Sequence, residues 1–395
     1  MVQHQQYDVI IVGGGMYGAS ISWWLSRTAG FDGRVLVIER DPSYETAATS
    51  LTNSCIRQQF SNPINISISR FGAEFIHSFK IFMDDPDAPD ITLQSYGYLY
   101  LADTPAFAET LRDSQKVQAR HGAGTLHLTR DELAARYPFM QLDDILAANH
   151  NLVDEGYFDG GTIFAWYRKA GRRNGVEYLK DEVVGVSRRG NRVEGVTLAS
   201  GNSVSCGVLV NAAGTRGRAL AQRIGFDLPI EPRKRYTYIF EAEKPLDQDL
   251  PLTIDPCGVH MRSDGRYYLA GGPPDDDPAV DVSDFAADHD LWEDKFWPAI
   301  AARIPQFEAI RLRNMWVGHY DYNTLDQNAI IGPHPDTPNF LFCNGFSGHG
   351  LQQSPALGRG LAEWIAYGSY RSIDLTPLGI DRVLRGEAFV EKAVI

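Results

Sequence analysis

YDVIIVGGGMYG, residues 7–18, is the stretch on which the reading of the fold turns. Tyr7 to Val12 is a short apolar run rich in β-branched residues, as a buried strand requires. Glycines follow at once, and an apolar helical pattern runs from Met16 to about Thr28. RVLVIE, residues 34–39, reads as a second buried strand. Strand, tight turn, helix and strand open a parallel α/β sheet. Gly13, Gly15 and Gly18 form G-x-G-x-x-G in that setting, and each has a mechanical task. Gly13 permits the tight turn, Gly15 lets the backbone approach a pyrophosphate, and Gly18 lets the helix pack on the sheet. The helix N-terminus then offers N–H groups to phosphates. Glu39 closes the second strand with a carboxylate that accepts hydrogen bonds from ribose hydroxyls and repels a 2′-phosphate, which disfavours NADP. NAD and FAD remain. VLVNAAG, residues 208–214, weighs toward FAD, as does GFSGHGLQQSP at 345–355.

Outward from this unit, SYGYLYL (95–101) alternates like a strand, and 131–137 and 163–174 read as helices. Four short β runs, VEYL, EVVGV, RVEGVTL and VLVNA, occupy 176–211. Further strands are expected at 236–243, 258–262 and 266–271. The acidic stretch PDDDPAVDVSDFAAD (274–288) reads as a solvated loop before a helix near 291–304. The last segment returns to the opening pattern, with a strand at 340–343 and a helix over 354–368. The fold class expected is α/β with an α+β second domain. A Rossmann-like dinucleotide domain is assembled from 1–83, 146–225 and 326–395, and a mainly antiparallel β substrate domain from 84–145 and 226–325.

A chain of 395 residues has room for two or three domains. Asp and Glu number 50 against 37 Lys and Arg, a net charge of -13, which argues against nucleic acid or an anionic membrane as partner. Cys55, Cys206, Cys257 and Cys343 form no C-x-x-C pair, so no metal site is expected and the thiols suit a reducing compartment. The first strand begins within a few residues of Met1, and no apolar run is long enough to span a bilayer. A cytoplasmic protein is the expectation.

VGGGMYG (12–18), IRQQF (56–60), DEGYFD (154–159), VNAAG (210–214) and GFSGHGLQQSP (345–355) together resemble the family of FAD oxidoreductases that contains D-amino-acid oxidase, glycine oxidase and sarcosine oxidase. The resemblance covers essentially the whole chain. It implies FAD held along Gly13, Gly14, Gly15, Met16, Tyr17 and Gly18, with the ribose on Glu39 beside Arg40. It implies further contacts from Thr49, Ser50, Thr52 and Asn53, with Val183 at the adenine and Ala213 and Gly214 nearby. Gly345, Gly348, His349, Gly350, Leu351 and Gln352 would touch the flavin's pyrimidine end, where backbone N–H groups stabilise negative charge. Sarcosine oxidase tethers its flavin to a cysteine. The matching stretch here, WVGHYDYNTLD (316–326), has none, so the FAD is expected to be non-covalent. A lysine of that enzyme promotes reaction with oxygen, and Tyr268 stands near its place. Oxygen and an electron-transfer acceptor therefore both stay open.

The resemblance makes the substrate a small amino acid or amine, first of all a secondary amine such as an N-substituted glycine or an iminodicarboxylate. Arg57 matches the family arginine that grips the substrate carboxylate, where a guanidinium makes two parallel hydrogen bonds. Gln352 stands where sarcosine oxidase has a second cation. Arg233 and Arg235 fall on one face of a strand start, Lys234 on the other, and the arginines are expected to face the cleft. His260 and Arg262 share a face of GVHMR. His260, with a pKa near neutrality, is a candidate proton acceptor or relay. His349 is either catalytic or an orienting residue of its loop, and Tyr320 and Tyr322 wall the pocket, with Tyr320 the candidate for chemistry. Two other classes stay open: a 2-hydroxy-acid dehydrogenase, and a flavin-containing assembly or electron-relay protein with little turnover, as a mitochondrial branch of the family implies.

The missing tethering cysteine generates a direct test. Acid or heat precipitation of the purified protein should release FAD into the supernatant. Yellow colour that stays with the pellet would contradict a non-covalent cofactor.

Overall fold

The computed structural model describes residues 3–392. The opening run becomes the strand Gln6–Val12, followed by the helix Met16–Leu25 and the strand Val35–Glu39. Val9 and Ile11 point into one apolar cluster and Ile10 and Val12 into another. Both faces of the sheet are thus covered, which is why the run is apolar throughout rather than alternating. The sheet order is Ile330–His334, Thr337–Asn344, Ser203–Asn211, Gln6–Val12, Val35–Glu39, Glu177–Lys180. The last five run parallel, and Ile330–His334 is antiparallel to its neighbour. Val183–Arg189 and Arg192–Leu198 make an antiparallel extension on Ser203–Asn211. The helices Gly160–Arg173 and Gly350–Tyr367 pack with Met16–Leu25 over one face.

A second sheet has eight strands in the order Ile310–Asn323, Ile230–Ala242, Tyr267–Gly272, His260–Asp264, Leu252–Ile254, Tyr98–Ala102, Ala147–Asn151, Leu126–Thr129. Every pairing is antiparallel except Leu252–Ile254 with Tyr98–Ala102. Its own core gathers Tyr238, Phe240, Phe296 and Phe307. One expected break shifts: Ala147–Asn151 pairs with Tyr98–Ala102, so the second sheet continues past the boundary drawn at 145. The helix at 291–304 begins with a π-helical turn, Trp292–Phe296, before Trp297–Arg303. Among the described residues no helix is long and apolar enough to cross a membrane.

Two small residues fix how closely the long helices approach. Ser20 donates its hydroxyl to Ser354 O at 2.7 Å. A Cβ at Gly358 would collide with that Ser20 side chain. Gly358→Ala should therefore destabilise the protein by about 1–3 kcal/mol, since a packed interface must open to admit the methyl group. Thermal unfolding checks this. An unchanged melting temperature would show that the two helices separate without cost.

Candidate active site

The glycine turn does what its spacing demands. Gly13 has φ 100° and donates its N–H to Ile38 O at 2.9 Å. A Cβ there would collide with Ala212 O, and one at Gly18 with Gly13 O. A Cβ at Gly15 would stand 2.9 Å from Thr49 Oγ1. That hydroxyl accepts Met16 N–H at 2.9 Å, which ties the Thr49 loop to the helix start. Gly15 is the N-cap and supplies no side-chain cap, so the helix dipole opens onto the cleft. Glu39 accepts N–H bonds from Gly14 and Asp41, each at 2.8 Å, so its carboxylate has one orientation.

From this turn a single long cleft runs between the two sheets. Gly13, Gly15, Met16, Tyr17, Glu39, Arg40, Thr49, Thr52, Asn53, Val183, Ala213 and Gly214 line it, as do Gly348, His349, Gly350, Leu351 and Gln352. Gly14, Gly18, Ser50 and Gly345 stand behind the lining and shape it. A cradle that excludes side chains, an open helix N-terminus and a fixed carboxylate at the second strand's end fit the diphosphate and ribose of an adenine dinucleotide. Arg216, Arg223 and Glu182 also line this end, and the sequence reading did not single them out.

At the other end Arg57 is 1% exposed and lines the cleft. Its Nη2 donates to His349 Nε2 at 2.8 Å, its Nη1 donates to Gln59 O, and its backbone N–H donates to Gln352 Oε1 at 2.8 Å. The guanidinium lies 3.9 Å from the Phe60 ring centroid. A guanidinium only donates, so His349 Nε2 is the acceptor and the imidazole is neutral. Burial and the Arg57 charge hold the His349 pKa well below the ordinary histidine value. His349 thus orients Arg57.

His260 lines the cleft and is buried. Its Nε2 is 3.1 Å from Asn53 Nδ2, and Asn53 Oδ1 accepts from Thr237 Oγ1 at 3.1 Å. Burial first, then Arg262 and Arg235, lowers the His260 pKa to about 4. The expected pKa near neutrality is corrected, because two neighbouring guanidiniums in a dry site disfavour the imidazolium. Among the described residues His260 Nδ1 has no hydrogen-bond partner.

The basic strand start divides. Arg235 lines the cleft, 4.6 Å from the Tyr320 ring centroid, and holds Asp277 through two bonds at 2.8 and 3.0 Å. Arg233 does not line the cleft. It pairs with Glu231 at 2.9 Å and Asp277 at 3.4 Å, over the ring of Tyr322, which is also outside the lining. Arg262 likewise stays outside, bonded to Asp264 at 2.8 Å and to Asn53 O at 3.3 Å. Tyr320 lines the cleft, and burial raises its phenol pKa, so it keeps its proton. A Cβ at Gly348 would collide with its ring. Tyr268 lies in the second sheet's core and accepts Leu246 N–H at 2.8 Å, away from the cleft. The acidic stretch 274–288 is more than a solvated loop. Lys234 holds Asp284 at 2.8 Å, and Val282 and Phe285 become cleft wall.

The match to known proteins follows the same outline. The chain matches the FAD dependent oxidoreductase (DAO) family over residues 8–364. The chain belongs to this family of FAD-dependent oxidoreductases. It is 34% identical to FAD-dependent oxidoreductase domain-containing protein 1 of Xenopus laevis, covering 99% of this chain and 85% of that one. It is 25% identical to sarcosine oxidase subunit beta of Rhizobium meliloti, covering 98% and 90%. L-proline dehydrogenase of P. horikoshii shares the fold, with a TM-score of 0.84 at 22% identity over 97% of this chain and 99% of that one. As a DAO-family flavoprotein, the chain has in the cleft from Gly13 to Gln352 a site of the right form for FAD.

Asp321 is a residue of this site that sequence reasoning did not single out. It is buried, and its carboxylate accepts Gly345 N–H at 2.9 Å, which pins the loop at the flavin end. Burial raises its pKa to about 6 against the opposing pull of its N–H donors. The fold thus binds this proton more tightly than the unfolded chain, whose Asp titrates near ~3.9. The stability it contributes is complete below about pH 4 and is lost as the pH rises through about 6. Asp321→Asn, which cannot ionise, should gain melting temperature relative to the parent between about pH 4 and pH 7. A difference that stays flat across that interval would contradict the shift.

Proposed function

We propose that this family member oxidises the C–N bond of a small carboxylate-bearing amine. The substrate class is a secondary amino acid of N-substituted glycine type, sarcosine-like or iminodicarboxylate, and the product is an imine that water hydrolyses. Bound FAD supplies the two-electron acceptor for the hydride leaving the carbon next to nitrogen. The observation that carries the reading is Arg57, a buried guanidinium in the lining at one end of the cleft, oriented by His349 and the Gln59 carbonyl, with its backbone N–H held by Gln352.

Two parallel N–H bonds from such a guanidinium fix both the position and the rotation of a carboxylate. With that end held, the neighbouring carbon has one direction in which to present its C–H bond. Arg235 lines the same cleft, and among the described residues its buried Nε has no partner. Two arginines disfavour an ammonium between them, so the amine reacts as its free base. Neither His349 nor His260 carries a charge at neutral pH, and the substrate nitrogen loses its proton before it binds. Tyr320, kept protonated, is a donor in the wall and not a base. Among the described residues no lysine lines the cleft, and slow reoxidation by oxygen is expected. Sarcosine and proline, after which two of the similar proteins are named, are both secondary amino acids.

Arg57→Ala should keep FAD and fold but weaken substrate capture. Losing a charge-assisted bidentate contact costs about 2–5 kcal/mol. That is roughly 30- to 5000-fold in kcat/KM. Arg57→Lys should recover only part, because an ammonium keeps the charge and loses the planar fork. Steady-state kinetics with N-methylglycine, L-proline and iminodiacetate measure it. Near-parent kcat/KM in Arg57→Ala would place the carboxylate elsewhere.

A further inference from the structure

Residues 57–60 have neither helix nor strand geometry, so side chains must hold Arg57 in place. Cys55–Ile56 pairs with Gly156–Tyr157 in a two-stranded ladder, Ile56 against Gly156. The next residues outward from that pair are Arg57 on one chain and Glu155 on the other. Glu155 is 0% exposed and lies outside the cleft lining. Gly156 has φ 147°, and a Cβ there would collide with Gln94 O, so the chain delivers Glu155 along one path.

We propose that Glu155 is a positioning residue, which holds the Gln58–Gln59 segment and through it sets Arg57 for carboxylate capture. The inference rests on the reading of Arg57 above. One carboxylate oxygen accepts Gln58 N–H at 2.6 Å, and the other accepts Gln59 Nε2–H at 2.9 Å. Gln59 Nε2 also donates to Tyr98 O at 3.1 Å. The Gln59 carbonyl, turned the other way, accepts from Arg57 Nη1. Among the described residues the buried Gln59 amide oxygen has no partner, and its nitrogen makes the side-chain bonds. Both groups facing Glu155 are donors. A carboxylate satisfies both, whereas an amide in its place would set its own NH2 group against one of them. Burying a carboxylate is costly, and burial raises the Glu155 pKa to about 7 against the opposing pull of its Gln59 and Gln58 donors. The outcome is a clamp: Glu155 fixes Gln58 and Gln59, Gln59 O fixes one guanidinium nitrogen, and His349 fixes the other.

The test uses the FAD-loaded protein and acetate, a carboxylate with no C–N bond to oxidise, and reads its Kd from the visible flavin spectrum. Glu155→Gln should weaken acetate roughly 5- to 150-fold, the cost of leaving a buried donor unmatched. FAD content should stay at the parent level, and with N-methylglycine the loss should fall on KM rather than kcat. Adding Gln59→Glu to that variant exchanges donor and acceptor and should recover acetate binding in part. Parent-like acetate binding in Glu155→Gln, alongside weak binding in Arg57→Ala, overturns this inference and leaves the reading of Arg57 intact. Parent-like binding in Arg57→Ala, or no response to acetate in the parent, overturns both. If Glu155→Gln does not fold, Gln59→Leu decides, since it removes one arm and keeps the carboxylate. Parent-like acetate binding there overturns the clamp.

Discussion

The close passage of two backbones at Gly13 governs everything built above it. The turn after the first strand lies so near Ala212 that no side chain fits between them. Ala212 N–H bonds back to Val12 O at 2.9 Å, so the ends of two parallel strands are locked side by side. That lock aims the Met16–Leu25 helix and lays its open N-terminus along the cleft. Phosphate recognition by a helix terminus needs backbone contact, and only a surface free of Cβ atoms allows it.

The second sheet supplies what the first cannot. Its strands Ile230–Ala242 and Ile310–Asn323 place Arg235 and Tyr320 over the flavin-end loop, and Asp321 reaches across to pin that loop. Charge in the site is arranged asymmetrically. His260 and His349 are held neutral by burial beside guanidiniums, and the buried carboxyls Glu155 and Asp321 lie where backbone N–H groups meet them. Such a site favours an anion at one end and a neutral nitrogen next to it, which is what the proposed amine oxidation requires.

The first strand, the glycine turn and Glu39 were legible in sequence because each follows a local rule. Val9 to Val12 buries on both faces and is apolar at every position. Arg57 was legible only through the family resemblance, which also assigned the Gly-rich 345–352 loop its contacts. Ile310–Asn323 was not read as a strand because its first half is an edge with exposed charges, such as Arg311 and Arg313. Pro63–His77 was likewise unassigned, since its alternating Ile and Ser mimic a strand pattern while Pro63 suits a first helical turn. Alternation placed Arg233 with Arg235 and His260 with Arg262, but only one of each pair lines the cleft. Arg233 bonds Glu231 and Arg262 bonds Asp264, each two residues along its own strand, and alternation alone does not tell such a pair from two cleft-facing residues. Glu155 and Asp321 escaped for a different reason, since a buried carboxyl is recognised by donors distant in sequence.

The central claim is that the cleft oxidises a carboxylate-bearing secondary amine. Anaerobic mixing of the FAD-loaded protein with N-methylglycine, L-proline, iminodiacetate and a matched set of 2-hydroxy acids tests it most directly. The account predicts that the yellow flavin absorbance bleaches with one or more of the amines and persists with the hydroxy acids. Bleaching by hydroxy acids alone, or by none of these compounds, would contradict it.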